Sequence, residues 1–334
     1  MLNKSLLQKA IIKIDGFCFL FIKFRTLTIK KDFMDKPNIR AYLAWIAICI
    51  LWGTTYLFIR IGVETIPPML FAGLRWLIAG IILITILRLS GKQLPQKEDL
   101  IHIAIIGIAL LGFGNGLVVV GEQWIESGLA ALLITTVPFW MVGVESFLPK
   151  GPKLNWMVIS GLIIGSLGVG LIFGGDLKYI FETKYLIGVL SILGAVVSWS
   201  LGSVYSKYKK VSVHPLMSAS IQMLIVGSLQ IILGAVLGEF TGLHFTQSGV
   251  ISLAYLVVMG SIFGYGSYIY AIEHLPLSLV STYAYVNPII ALVLGWIFLN
   301  EQLNIFILLA SVVIIAGVVL VKIGSNKRTL LKRF

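Results

Sequence analysis

Residues 52–68 read WGTTYLFIRIGVETIPP, and residues 199–215 read WSLGSVYSKYKKVSVHP. With a shift of 147 positions the two stretches match in three telling places: Trp52 with Trp199, Arg60 with Lys207, and Pro68 with Pro215. With a shift of 150, which a small loop insertion explains, Phe113–Gly116 falls on Phe263–Gly266 and Pro138 on Pro288. Tryptophan, proline and cation matches in one register rarely arise by chance, so the chain contains an internal duplication.

The composition around this repeat is that of a membrane protein. Of the 334 residues, 58% are hydrophobic and 12% charged, and the mean hydropathy is +0.98. A water-soluble globule could not bury so much apolar surface. From residue 41 onward the apolar runs are close to the ~20 residues that cross ~30 Å of hydrocarbon. The ten predicted spans cover 41–60, 68–87, 101–121, 128–148, 155–173, 185–206, 215–236, 249–270, 276–298 and 303–322.

The cations predict the orientation. Most of the 26 Lys and Arg residues fall in alternate gaps between the apolar runs, as the positive-inside rule requires. The net charge of +12 therefore reflects membrane topology, and nucleic acid is not an expected partner. Both termini are predicted to be cytoplasmic, which requires an even number of spans. Each repeat, 41–173 and 185–322, holds five spans, so the second must be inverted relative to the first.

The two ends of the chain are basic. Residues 1–40 surround a short apolar patch, 16–22, that is too short to span a membrane and lacks a cleavage site after it. This segment is either a basic amphipathic helix on the inner leaflet or the result of a misassigned start, with Met34 as the alternative first residue. Residues 323–334 are expected to form a basic cytoplasmic tail.

At these residues the chain resembles the EamA family of the drug/metabolite transporter superfamily. The resemblance rests on the run Trp52–Val63, the following Ile66-Pro67-Pro68, the opening of the second span at 71–76, the junction 127–133 and Asn287-Pro288 before Glu301. It implies an all-α membrane protein whose ten helices, two inverted five-helix repeats, surround a central cavity. It also implies export of amino acids or other metabolites, often in exchange for protons.

The chain departs from the family pattern in two places. The position in the first half that matches Glu301 is Gly151, and the first span contains no Asp or Glu. Small multidrug relatives in the superfamily carry a membrane-embedded glutamate in that span for proton exchange. Drug–proton antiport by that mechanism is therefore not expected.

Polar and aromatic residues in the spans are the candidates for a solute site. Arg75, within the second span, could bind a solute carboxylate with its planar fork, or it could be a structural residue paired with Glu122. The other candidates could line a cavity that stacks and hydrogen-bonds a small zwitterion or aromatic solute, or could pack helices and interfaces. They are Trp52, Asn115, Trp199, Tyr265, Tyr268, Tyr283, Tyr285 and Asn287.

Two carboxylates are candidates for proton coupling. Glu122 ends the third span, where partial burial would let its carboxyl exchange a proton near neutral pH. Glu145 lies near the cytoplasmic end of the fourth span. The alternative roles are a solvated loop acid or a partner of Arg75 for Glu122, and an interfacial pairing with Lys150 for Glu145.

The sequence predicts a secondary active transporter that exports an amino acid or similar metabolite by alternating access, with the proton as one possible coupling partner. A facilitative, uncoupled permease is the nearer alternative, and a membrane-embedded lipid-modifying enzyme is the more distant one. No P-loop, His/Cys/Asp cluster with ligand spacing or nucleophile elbow occurs, so no cofactor, metal or enzymatic activity is expected. A bacterial inner membrane is the predicted location.

Overall fold

The computed structural model describes residues 39–148, 155–172, 183–300 and 305–331. Nearly all of the predicted N-terminal extension, including Met34, lies outside this range, as do Gly151, Glu301 and the last three residues of the predicted tail. All regular elements in the described part are helical. The protein is therefore an all-α membrane protein.

Ten helices, α1–α10, correspond to the ten predicted spans. They are α1 Ile39–Val63, α2 Pro68–Leu89, α3 Lys97–Gly121, α4 Ser127–Ser146, α5 Trp156–Ile172, α6 Thr183–Tyr208, α7 Pro215–Val236, α8 Gln247–His274, α9 Tyr283–Leu299 and α10 Ile305–Leu331. In the described residues, seven of these are long and apolar enough to cross a membrane, and α5, α9 and α10 carry shorter apolar stretches.

The repeat is visible in the local geometry of the helices. Pro68 and Pro215 are the first residues of α2 and α7, where a missing N–H costs no hydrogen bond. After these helices the chain turns at Gly91 and Gly238, whose φ angles are +74° and +75°. A side chain would be strained at either position.

Both α3 and α8 contain a stretch of π-helix. The stretches are Ile108–Asn115 and Leu256–Tyr265, and they end at positions that match in the repeat. A π-helical stretch disturbs the regular backbone ladder and often marks a functional site. Side chains from other helices bond to the carbonyls here: Ser198 to Ala109 at 2.9 Å, Gln230 to Leu111 at 3.2 Å, and Trp52 to Gly260 at 3.1 Å.

The helix of the fourth span contains a break near its middle. A turn at Thr135–Thr136 divides α4 into Ser127–Ile134 and Val137–Ser146. Both threonine hydroxyls donate to carbonyls three residues earlier, at 2.6 and 2.8 Å. Pro138, which has no N–H, lies two residues after Thr136 and prevents a regular ladder. A similar turn precedes α9, after the short helix Leu277–Val280.

The two halves cross at equivalent glycines. The helices α2 and α7 pack together, and so do α5 and α10. A Cβ on Gly80 would lie 3.0 Å from the backbone nitrogen of Leu224, and one on Gly227 would lie 2.5 Å from that of Leu77. Since these contacts are reciprocal under the 147-residue shift, the crossing of α2 and α7 lies on the two-fold axis that relates the halves.

The halves also interlock. The first helix, α1, packs against α8 and α9 of the other half, and α6 packs in the same way against α3 and α4. The core of the molecule is therefore formed between the repeats.

Equivalent cationic contacts lie at opposite ends of the molecule. Arg60, at the end of α1, donates from Nη1 to the backbone oxygen of Glu122 just after α3. Lys207, its repeat partner at the end of α6, donates from Nζ to the backbone oxygen of Ile272 at 2.8 Å near the end of α8. Because α1 and α6 are separated by five crossings, the two contacts lie on opposite membrane faces, as inversion requires.

Candidate functional site

A central cavity lies between the halves. Its walls are formed by Trp52, Thr55, Tyr56, Ile59, Arg75, Trp76, Gly114, Asn115, Val118, Ile134, Val137, Ala195, Val196, Trp199 and Tyr283. The cavity has a volume of about 60 Å³, and one water needs ~10–15 Å³ of such a cavity. In this conformation the cavity therefore has room for a few waters or one small functional group.

Five of the nine predicted solute-site residues line this cavity. They are Trp52, Arg75, Asn115, Trp199 and Tyr283. Three come from the first half and two from the second, so the lining is shared between the repeats.

The aromatic side of the cavity is a connected cluster of rings. The Trp52 ring lies 5.3 Å from that of Trp199, and 5.1 Å from the rings of both Tyr268 and Tyr283. These separations are typical of favourable edge-to-face and tilted aromatic contacts. The cluster presents apolar faces and ring edges toward the cavity.

Two of the predicted tyrosines support the wall from behind. Tyr268 is fully buried; its hydroxyl accepts from the Trp199 indole at 3.0 Å and lies 2.6 Å from the Ser203 hydroxyl. Tyr265, also fully buried, donates to Oε1 of Gln222. Neither tyrosine is part of the lining, so in this structure they hold the wall in place.

The polar side of the cavity is centred on Arg75, which is 2% exposed. Its Nε donates to the Ser261 hydroxyl at 2.8 Å and its Nη1 to Oδ1 of Asn115 at a longer 3.4 Å. The guanidinium carbon lies 4.3 Å from the ring centre of Trp76, which covers one face. The guanidinium group is thus held in a fixed orientation beside the cavity.

Tyr285 and Asn287 do not line the cavity. Asn287 is fully buried, and with its amide nitrogen facing two carbonyls it donates to Cys49 on α1 at 2.9 Å and to Tyr283 at 3.1 Å. It therefore ties α9 to α1 just before Pro288. Tyr285 is half-buried and packs against the apolar core.

The two candidate coupling carboxylates have different environments. Glu122 is fully buried, not partially as expected, and its carboxylate attracts Arg75 electrostatically. The hydrogen bonds of Arg75 go to Ser261 and Asn115, so Glu122 acts on it through its charge. Glu145 is half-buried and accepts a 2.8 Å hydrogen bond from the Tyr208 hydroxyl on α6.

Several residues at the cavity were not predicted from the sequence. Trp76 and Tyr56 line the cavity, and Ser261 and Gln222 stand behind it. The repeat register could have identified Gln222, because it is the counterpart of Arg75, and its partner Tyr265 is the counterpart of Asn115. The contact of Arg75 with Asn115 is thus repeated, without a charge, by Gln222 and Tyr265.

Ten helices in two inverted halves, with a polar and aromatic cavity where the halves meet, define the class of inverted-repeat membrane transporter folds. The model of the EamA-like transporter family matches residues 39–174 and 186–323. The chain belongs to this family.

Two relatives with similar sequences carry transporter names. An uncharacterized inner membrane transporter of Escherichia coli K12, YedA, is 39% identical over 285 residues, which are 84% of this chain and 90% of that protein. An uncharacterized transporter of Bacillus subtilis, YoaV, is 26% identical over 84% of this chain and 96% of its own length. A crystal structure at 19% identity has the same fold, with a TM-score of 0.64 over 86% of this chain and 98% of that chain.

Proposed function

We propose that this protein is a secondary transporter of a bacterial inner membrane that exports an amino acid or a similar small metabolite by alternating access. The observation that carries the proposal is the central cavity, in which Arg75 and Asn115 of one half face Trp199 and Tyr283 of the other. A site at the interface of inverted halves can be exposed to either side when one half moves against the other. The names of the relatives support the same assignment.

The cavity favours a solute with both a polar and an apolar part. Arg75 and Asn115 supply hydrogen-bond donors and acceptors, and the rings supply stacking surface. The present space is smaller than an amino acid, so binding requires the walls to separate, as expected for a site that is occluded in one state of the cycle.

Both termini are proposed to be cytoplasmic, because the basic gaps then face the cytoplasm. Contacts between helix ends support a chain that crosses the membrane back and forth in this way, because they join ends that would then lie on the same side. Tyr208 meets Glu145 and Ser212 meets Asp99 on the proposed cytoplasmic side. On the other side the Glu239 carboxylate accepts from the backbone nitrogen of Leu70 at 2.9 Å.

Counterflow in liposomes tests the proposal. Purified protein is reconstituted into vesicles loaded with an unlabelled amino acid or other metabolite, and uptake of the labelled compound is followed with and without a pH gradient. We expect at least one compound to accumulate transiently, and a proton-coupled transporter to respond to the gradient. Transport that does not depend on the pH gradient would indicate a facilitative permease. Movement of no compound across the panel would contradict a transport function.

A further inference from the structure

We propose that the cavity contains a subsite for a single carboxylate, formed by the Nη edge of Arg75 beside Gly260, with Ser261 as the residue that positions the guanidinium group. This inference rests on the proposed function and specifies the class of solute: a monocarboxylate with an aromatic or apolar body.

Arg75 has more N–H donors than its protein partners use. A guanidinium group has five N–H donors in a planar fork. In the described part of the chain, Arg75 uses two of them, Nε toward Ser261 and Nη1 toward Asn115. The contact to Asn115 is long at 3.4 Å, so a charged acceptor can replace or share it. The Nη edge is therefore available to a ligand.

The Nη2 end of that edge fits closely against Gly260. A Cβ built on Gly260 would lie 2.9 Å from Nη2 of Arg75 and 3.1 Å from the methyl group of Thr55. Because Gly260 has no side chain, Nη2 of Arg75 can lie directly against the backbone of α8 at this point. The equivalent residue of the other half is Leu110, so this close fit occurs on one side of the two-fold axis only.

The guanidinium group of Arg75 is held in one orientation. The Nε hydrogen bond to Ser261 and the Trp76 ring over one face together fix its plane. Ser261 belongs to the other half of the molecule and is fully buried. With Nε held at the back, the two Nη nitrogens form the edge that binds a carboxylate with two parallel hydrogen bonds.

The charge of the lining selects the class of solute. Among the described lining residues, Arg75 alone carries a formal charge, and Glu122 acts on it from outside the lining. The guanidinium fork matches one carboxylate, whereas a phosphate dianion or a dicarboxylate would bring a second negative charge that no other cation of the described lining can pair in a low-dielectric site. A solute cation would meet repulsion from Arg75. The rings of Trp52, Trp199 and Tyr283 provide a surface for an apolar body.

Binding of three matched probes tests the subsite: phenylacetate, phenylacetamide and phenyl phosphate. The full-length protein is placed in lipid nanodiscs at neutral pH, and binding is followed by tryptophan fluorescence. We expect phenylacetate to bind about tenfold or more tightly than the neutral amide, and phenyl phosphate to bind more weakly than phenylacetate.

Substitutions separate the subsite from the rest of the cavity. Gly260→Ala should weaken phenylacetate binding about tenfold and leave phenylacetamide unchanged, because the new methyl group would push the guanidinium group of Arg75 out of its position. Arg75→Lys, which keeps the charge and loses the fork, should weaken phenylacetate binding as well. Ser261→Ala should do so to a smaller extent. Gly112→Ala is the matched control, since its Cβ would meet nothing closer than 3.7 Å.

Each result supports or contradicts the subsite. Equal binding of phenylacetate and phenylacetamide by the unaltered protein, or binding of neither, overturns it. So does a Gly260→Ala protein that elutes as a single species and binds phenylacetate normally. Counterflow of some other compound would then leave the transport function standing without this subsite.

Discussion

The indole rings of Trp52 and Trp199 meet edge to face, with their planes at 81°. These residues are equivalent in the repeat, and each also lies against an equivalent glycine of the opposite half. A Cβ on Gly264 would lie 2.5 Å from Nε1 of Trp52, and one on Gly114 would lie 2.9 Å from the ring of Trp199. The two-fold axis thus passes through the candidate site, and the glycines set how closely its walls approach.

Gly264→Ala should disturb the candidate site by steric overlap alone, because the substitution changes no charge. The added methyl group must displace the Trp52 ring, whose indole nitrogen is bonded to Gly260. We expect destabilisation of about 1–3 kcal/mol, as for overpacked cores, together with loss of solute counterflow. Thermal unfolding in detergent and the vesicle assay measure the two effects. Gly143→Ala, with no atom within 4 Å of the new Cβ, should behave as the unaltered protein does.

Gly227→Ala should destabilise the crossing of α2 and α7. Its Cβ would meet the backbone nitrogen of Leu77 at 2.5 Å, and a backbone atom cannot move aside as a side chain can. The equivalent Gly80→Ala, with a closest approach of 3.0 Å, should be milder. The midpoint of thermal unfolding should therefore fall further for Gly227→Ala, by an amount that corresponds to about 1–3 kcal/mol. Equal midpoints for the two variants would contradict this order.

Lys207→Met should loosen the end of α8. The Nζ of Lys207 donates to Ile272 at 2.8 Å and to Leu275 at 2.9 Å, which satisfies carbonyls at the helix terminus. Methionine keeps the apolar stem and loses the donors, and we expect a loss of about 1 kcal/mol, measured by thermal unfolding. Lys207→Arg should retain most of the stability, since Arg60 makes the equivalent contact in the first half. A Met variant as stable as the Arg variant would rule out this role.

Glu122→Gln tests proton coupling. If the Glu122 carboxylate binds the coupled proton, the glutamine variant should lose flux driven by a pH gradient while solute exchange at equal pH continues. Glu145→Gln is the comparison, because Glu145 bonds to Tyr208 at the helix ends and lies apart from the cavity lining. An unchanged pH response in Glu122→Gln would reject Glu122 as the coupling residue.

The general architecture is predictable from the sequence because it depends on coarse properties. Span number follows from the length of apolar runs, and inversion follows from the odd number of spans per repeat. The register of Trp52, Arg60 and Pro68 on their counterparts is also visible in the chain. These features need no knowledge of which helices touch.

The finer features depend on contacts between distant segments. Nothing in the local sequence of Ser261 reveals that it holds Arg75, 186 positions away. Asn287 lies one helical turn from Tyr283, yet its amide is used by backbone carbonyls of α1 and α9. Tyr285 points away from the cavity because successive helical positions differ by about 100° in direction. Hydropathy and residue type alone do not distinguish these outcomes.

The hydrogen bond from Trp52 to Gly260 joins residues 208 positions apart. Translation proceeds from the N-terminus, so α1 enters the bilayer long before the helix that accepts this bond has been made. A polar donor without a partner is costly in hydrocarbon. Until the second repeat arrives, the Trp52 indole N–H therefore lacks the acceptor that it has in the folded protein. The order of synthesis and the order of assembly consequently differ, and a ribosome that stops after α5 would release a half without its partners.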